Sequence, residues 1–316
     1  MQSLQKVEKE TKHIAEFPGG TVGLSVLHIE SGQKLTLNAS DSFPMASTYK
    51  VAIAVQVLNL INKEKVALNQ MIELNQEDLS PGSGMIGSHL YQPGVQLSVY
   101  NLLEMMLTIS DNTASDLLLT LAGGPVAVTE CLRTSGIEGI RIDRSTKDIL
   151  SDVLGISGLM AEGEWSLQRF KEHQEVLTPE SKRAAGEVFL ADQRDTSTPD
   201  AMVSLLERVY SNAQLKEVHT ELLLNIMGRC RTGQSRLKGM LPFGTDVAHK
   251  TGSLSGLAIN DVGIITLPDE AGHLAIAAFI RSPEKSDEEC EQVIAHIARS
   301  VYDFFLFAQE AMSFRG

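Results

Sequence analysis

What most constrains this chain is where its strand-like and helix-like segments fall. Residues 21–29 and 34–37 alternate apolar and polar around Ser31-Gly32, which predicts a β-hairpin. Segments 246–249, 260–267 and 273–280 show the same strand character near the other end. Between these ends lie helical patterns at 51–61, 99–109, 113–121, 125–134, 167–176, 179–189, 199–210 and 215–227. Helices are also predicted over 2–16 and 287–308, whereas residues 141–195 contain the part hardest to read. Strands at both ends with helices between them predict an α+β fold, one sheet joined by both chain ends with a helical insert. With 316 residues, 43% of them hydrophobic, the chain can bury a large core.

Composition excludes some functions. The net charge of −13 makes nucleic acid and anionic membrane surfaces poor partners. The three cysteines, Cys131, Cys230 and Cys290, form no Cys-x-x-Cys, and their odd number argues against a disulfide framework. No run approaches the roughly 18 apolar residues of a membrane span. Residues 1–17 are charged and polar and do not read as a signal peptide. The expectation is a periplasmic or secreted protein if a leader has been removed, and a cytoplasmic one otherwise.

Ser47-Thr48-Tyr49-Lys50 directly precedes the apolar run 51–61. A serine at a helix start lies beside unsatisfied N–H groups and the positive end of the dipole. Lys50, three residues on, shares its face and can reach the hydroxyl. A lysine held out of water can lose its proton and take one from a serine. The same spacing occurs at Ser3–Lys6, Ser31–Lys34, Ser235–Lys238 and Ser282–Lys285, but only Ser47 opens a sustained hydrophobic helix.

Gly82-Ser83-Gly84-Met85-Ile86-Gly87 has the spacing of a dinucleotide fingerprint. That motif must follow a buried strand, and the preceding segment, Asn75 to Pro81, has loop chemistry, so a flexible loop is expected. The eight histidines contain no H-E-x-x-H pair, and no metal or organic cofactor is implied. Ser110-Asp111-Asn112, taken alone, reads as a helix N-cap. Lys250-Thr251-Gly252, taken alone, reads as a strand end with a turn glycine, and His249 as a packed histidine.

Together and in this order, Ser-x-x-Lys, Ser-Asp-Asn and Lys-Thr-Gly resemble the motif set of class A β-lactamases and penicillin-binding proteins. Phe43 to Lys50, Thr108 to Ala114, Arg194-Asp195-Thr196-Ser197-Thr198-Pro199 and Val247 to Gly252 with Asn260 to Ile264 resemble that family's signature segments. The resemblance implies a β-lactamase/DD-peptidase-like fold, an antiparallel sheet flanked by helices plus an all-helical subdomain, divided as a discontinuous α/β subdomain, 1–45 with 230–316, around an all-α subdomain, 46–229. It implies Ser47 as nucleophile, Lys50 as base, Ser110 as proton shuttle, and Asn112 as a hydrogen-bond partner of the substrate's side-chain amide. Lys250 supplies positive charge near Ser110. Gly252 completes the third motif, and Thr251 and Ser253 bind the substrate carboxylate. The backbone N–H groups of Ser47 and Ser253 form the oxyanion hole. Arg236 falls where some members place a supporting arginine. A β-lactam or peptidoglycan-like molecule is the expected substrate, and a monomer the expected state.

The chain departs from the family where deacylation is concerned. Class A members use an omega-loop glutamate acting through a water. Aligned on Asp143-Arg144, that glutamate becomes Thr146, and the asparagine that helps hold the water becomes Leu150. No asparagine occurs between Thr113 and Ser211. Fifty residues separate Arg144 from Asp195, the pair expected to clasp the loop. Of the acids in this insert (Glu162, Glu164, Glu172, Glu175, Glu180 and Glu187), one could fold back over Ser47, although solvated helix faces are the plainer expectation. Three readings stay open: a β-lactamase-type hydrolase with another route of deacylation, a D-Ala-D-Ala peptidase or esterase, or a penicillin sensor.

Overall fold

A computed structural model describes residues 4–157 and 165–313. The elements in chain order are α1 (Leu4–Ile14), β1 (Thr21–His28), β2 (Lys34–Leu37), β3 (Phe43–Pro44), α2 (Lys50–Asn62), β4 (Met71–Glu73), α3 (Ile86–His89), β5 (Gln96–Ser98), α4 (Val99–Thr108), α5 (Asn112–Leu121) and α6 (Gly124–Thr134). There follow α7 (Thr146–Leu154), α8 (Leu167–Glu175), α9 (Pro179–Ala191), β6 (Thr196–Ser197), α10 (Pro199–Tyr210), α11 (Glu217–Gly228), β7 (Val247–Leu254), β8 (Ala258–Thr266), β9 (His273–Arg281) and α12 (Asp287–Ser313). No single described helix is long and apolar enough to cross a membrane.

The main sheet has the order β2-β1-β9-β8-β7, with every neighbouring pair antiparallel. Both chain ends therefore contribute to one sheet, as the segregated pattern predicts. Strand alternation sends side chains to two separate cores. Leu274, Ile276, Ala278 and Ile280 of β9 join α1 and α12 on one face. Ala275, Ala277 and Phe279 join the larger core around α2, α4, α5 and α10 on the other. β7 closes the sheet, so its outer edge has no strand partner and is free to face the Ser47 turn.

Two local differences from the sequence reading have physical causes. Ser47 lies in a 3₁₀ turn, Ala46–Tyr49, that runs directly into α2. Side chains three apart eclipse in such a turn, which brings Lys50 over Ser47 more directly than an α-helical start would. Lys-Thr-Gly is interior to β7 rather than at its end, because the strand continues through Ser253 and Leu254.

The insert between Arg144 and Asp195 carries α7, α8 and α9. Helix α7 is absent from the sequence reading. It starts with a reciprocal cap, the Ser145 hydroxyl accepting from the Asp148 N–H and the Asp148 carboxylate from the Ser145 N–H. Buried Asp116 of α5 also accepts from the N–H groups of Thr146 (2.6 Å) and Lys147 (3.1 Å).

Candidate active site

Ala46, Ser47, Tyr49, Ser83, Ser110, Asn112, Thr146, Leu150, Thr232, Arg236, Thr251 and Ser253 share a cavity of about 300 Å³ between the 3₁₀ turn, the α4–α5 junction, α7 and the edge of β7. Lys50 and Lys250 stand behind this lining, both fully buried. A larger hollow, about 470 Å³, lies between α1 and α12 and is lined by none of these residues.

Two residues of the site have backbone in the left-handed region that side chains disfavour: Ala46, φ 46°, just before Ser47, and Ser110, φ 58°. Each such residue stores about 1–3 kcal/mol that the surrounding packing must offset. Ser110 is held there by hydrogen bonds, its carbonyl accepting from Lys50 Nζ (2.8 Å) and Ser83 Oγ (2.9 Å). Asp111 is indeed the N-cap of α5, accepting from the Ala114 N–H at 2.9 Å and from the Met85 and Ile86 N–H groups at 2.7 and 2.9 Å. The cap and the site coexist, because Asp111 anchors the glycine-rich loop while Ser110 and Asn112 line the cavity. That loop is thus tied to the site, and the dinucleotide spacing within it is incidental.

Lys50 Nζ donates to Ser110 O (2.8 Å), Ser110 Oγ (3.1 Å) and Asn112 Oδ1 (2.8 Å). Ser47 is not among these acceptors, and its relation to Lys50 is that of positions three apart across the 3₁₀ turn. Burial, reinforced by the neighbouring Lys250, pushes the Lys50 amine well below its ordinary value, with Asp116 and Asp111 opposing. Disfavouring the ammonium in this way eases loss of its proton, after which the amine can serve as a base. Lys250 Nζ meets Ser110 Oγ at 3.0 Å and Thr251 O at 2.7 Å, and burial lowers it to about 8. The Ser110 hydroxyl therefore touches both lysines. Asn112 Nδ2 donates to Pro81 O at 2.7 Å, which fixes the orientation of the amide.

Gly252 has a steric reason to be glycine. A Cβ there would lie 2.5 Å from Met45 O and about 3 Å from the Ser47 and Thr48 nitrogens, so a side chain would push β7 off the Ser47 turn. The Thr251 hydroxyl is 2.6 Å from that of Thr232. Arg236 is 5% exposed and so is not a surface arginine. It donates to Ser253 Oγ (2.7 Å), Gly252 O (3.1 Å), Asn260 O (2.8 Å) and Glu291 of α12 (2.9 Å). Thr232 and Glu291 were not singled out from sequence. Neither sits in a motif, and only long-range pairing reveals them.

At the omega-loop position the structure places Thr146 and Leu150 in the cavity wall. The Thr146 hydroxyl is bonded to Tyr49 OH at 2.6 Å. No carboxylate lines the cavity among the described residues. Glu172, Glu175, Glu180 and Glu187 are exposed, while Glu162 and Glu164 lie outside the described residues. The loop ends are clasped by Arg144 Nε to Asp195 at 2.5 Å, and Asp192 adds a bond at 3.2 Å. A second hollow of about 440 Å³ shares Gly82, Ser83, Leu150, Ser253 and Leu254 with the cavity, and α8 contributes Leu167, Phe170 and Lys171 to its wall. Among the described residues no cluster of three or more metal-ligating side chains occurs.

Comparison with known proteins agrees with this geometry. The family model described as the beta-lactamase enzyme family matches residues 4–305. The extended-spectrum beta-lactamase PER-1 of Pseudomonas aeruginosa is 31% identical over 93% of this chain and 85% of its own length. Beta-lactamase VEB-1 of the same organism is 28% identical over 93% and 89%. Among solved structures, a beta-lactamase from Chitinophaga pinensis superposes with a TM-score of 0.77 at 30% identity, covering 94% of this chain and 98% of that one. The TLA-3 extended-spectrum beta-lactamase gives 0.78 at 28% identity, covering 96% and 100%.

Proposed function

The chain belongs to the beta-lactamase enzyme family, on its class A branch of serine hydrolases, and from that premise we propose a Ser47-dependent β-lactam hydrolase whose acyl-enzyme is long-lived. Neutral Lys50 takes the Ser47 proton, and Oγ attacks the lactam carbonyl carbon. The carbon–nitrogen bond breaks, and the Ser110 hydroxyl gives a proton to the departing nitrogen and regains one from Lys50. The Ser47 and Ser253 N–H groups receive the developing oxyanion. Lys250, Thr251 and Ser253, backed by Arg236, hold the substrate carboxylate, and Asn112 contacts the side-chain amide.

One observation carries the slow second half. The described cavity wall offers a threonine already bonded to Tyr49, and no carboxylate, where a water must be activated. Lys50 is then the base for both halves. The enzyme is proposed to act as a monomer outside the cytoplasm. Its cleft is proposed to lie between an α/β body, 1–45 with 230–316, and a helical body, 46–229, with an enlarged omega region, 141–195.

Mass spectrometry after mixing with a penicillin and a chromogenic cephalosporin tests this reading. An adduct on Ser47 that decays over many turnover-equivalent times is expected. Rapid hydrolysis with no accumulating adduct would remove the deacylation claim, and no adduct or hydrolysis would remove the β-lactam reading altogether.

A further inference from the structure

Just after α11, Cys230 and Thr232 run alongside β7, so that Cys230 meets His249 and Thr232 meets Thr251. His249, Lys250 and Asp261 are fully buried, and Cys230 is 3% exposed. His249 Nδ1 bonds both oxygens of Asp261 at 2.9 Å, and Asp261 also accepts from the Leu237 N–H at 3.2 Å. Opposite His249 in β8 stands Gly263, where a Cβ would lie 2.7 Å from the His249 Cα, so the sheet is thinned to admit the ring. His249 Nε2 has no hydrogen-bond partner among the described residues, and besides Asp261 the side chain that acts on the ring is the Cys230 thiol. A carboxylate sealed from water keeps its charge only beside a cation, so Asp261 holds His249 as imidazolium. The positive charge of that ring then acts on the sulfur. The sulfur in turn lies 3.3 Å from Thr232 Oγ1, the first link of a hydroxyl chain that ends at Thr251 in the cavity wall.

We infer that Cys230, poised by His249 and Asp261, is a positioning residue for the carboxylate anchor: its thiolate is the buried counter-charge that keeps the Lys250 ammonium charged, and through Thr232 it aims the Thr251 hydroxyl into the cavity. This role rests on the reading of Ser47, Lys250 and Thr251 given above. The thiol proton leaves to solvent while His249 retains its own. The ionisation directions agree. His249 and Lys250 draw the Cys230 thiol down to about 7 against burial, and Asp261 raises His249 to about 9 against burial. The charged groups acting on the sulfur are His249 and Lys250 from β7, with Asp261 of β8 bonded to the far side of the His249 ring. Arg236 acts on Lys250 from the segment after α11, and Glu104 of α4 is engaged by Arg229 at the surface.

The test is the pH dependence of Ser47 acylation by a chromogenic cephalosporin. It compares the unaltered enzyme, Cys230→Ser, Lys250→Arg and the double variant. Removing a negative neighbour lowers an ammonium's pKa, so Cys230→Ser moves the alkaline limb set by Lys250 toward neutrality. At pH about 8 the rate falls roughly three- to tenfold, since one pKa unit corresponds to about tenfold, while at pH about 6, where the thiol is neutral, it stays within about twofold. Lys250→Arg has no such limb, and adding Cys230→Ser to it changes nothing further. Alkaline limbs that coincide in the unaltered enzyme and Cys230→Ser, or a fall equal at every pH, overturn the inference. Should Cys230→Ser fail to fold, thiolate ultraviolet absorption of the unaltered protein decides: a thiol ionising near 7 supports the inference, and no thiolate by pH about 8 overturns it. Failure to acylate Ser47 at all overturns both this inference and the reading beneath it, whereas acylation with unmoved limbs overturns this inference alone.

Discussion

At the scale of single residues, Lys50 and Thr146 make opposite demands on the chemistry. Lys50 is buried, lowered and next to the nucleophile turn, so Lys50→Ala is expected to slow acylation by about 10²–10⁴-fold, the usual worth of general-base assistance. Stopped-flow adduct formation measures it, and an unchanged rate would move the base elsewhere. Thr146→Glu supplies a carboxylate to the cavity wall and should shorten the acyl-enzyme lifetime by at least about tenfold, read as deacylation after rapid gel filtration. An unaltered lifetime would show that a carboxylate at this place cannot reach the water. The Ser47–Lys50 pair was legible because a short motif encodes it at fixed spacing. The setting of Arg236 was not, since its burial depends on Glu291 of α12 and on two β-strand carbonyls distant in sequence. The same holds for the Cys230–His249–Asp261 cluster, whose members sit on three separate segments.

At the scale of elements, most helices and all five main strands could be read from periodicity, whereas α7 could not. It has nine residues, and its first turn is fixed by a carboxylate thirty positions upstream, which no local pattern records. Asp116 accepts from the Ser80 hydroxyl at 2.5 Å as well as from two α7 N–H groups, so it ties the loop before α3, helix α5 and helix α7 together. Asp116→Ala leaves those buried donors unmatched. It is expected to cost about 2–4 kcal/mol in chemical denaturation and to speed proteolysis within the insert. A loss below about 0.5 kcal/mol would mean that water replaces the carboxylate at no cost. The short pairs β3–β6 and β4–β5 also escaped notice, being two or three residues long and defined by partners rather than by pattern.

At the scale of the whole molecule, buried ionisable groups on β7 and β8 give stability a pH dependence. His249 is raised from 6.5 to about 9, so its contribution is complete below pH 6.5 and is lost as pH rises through 9. Lys250 runs the other way. Lowered from 10.5 to about 8, it makes folding more favourable as pH climbs between those values. His249→Gln should therefore lower the melting temperature more at pH about 6 than at pH about 9.5, where the lost imidazolium contributes little. Equal losses at both values would mean that the ring matters for shape and not for charge.

The antiparallel register of β1 with β9 sets Thr21 beside Arg281 and His28 beside Leu274. During synthesis the first strand therefore waits, with one edge unpaired, until β9 has been made. Non-local pairing of this kind folds slowly and leaves strand edges open to aggregation. A ribosome-bound chain that stops short of His273 lacks the strand that joins β1 to β8, so β7 and β8 form a hairpin with no sheet to complete and the edge that faces the Ser47 turn stays unanchored.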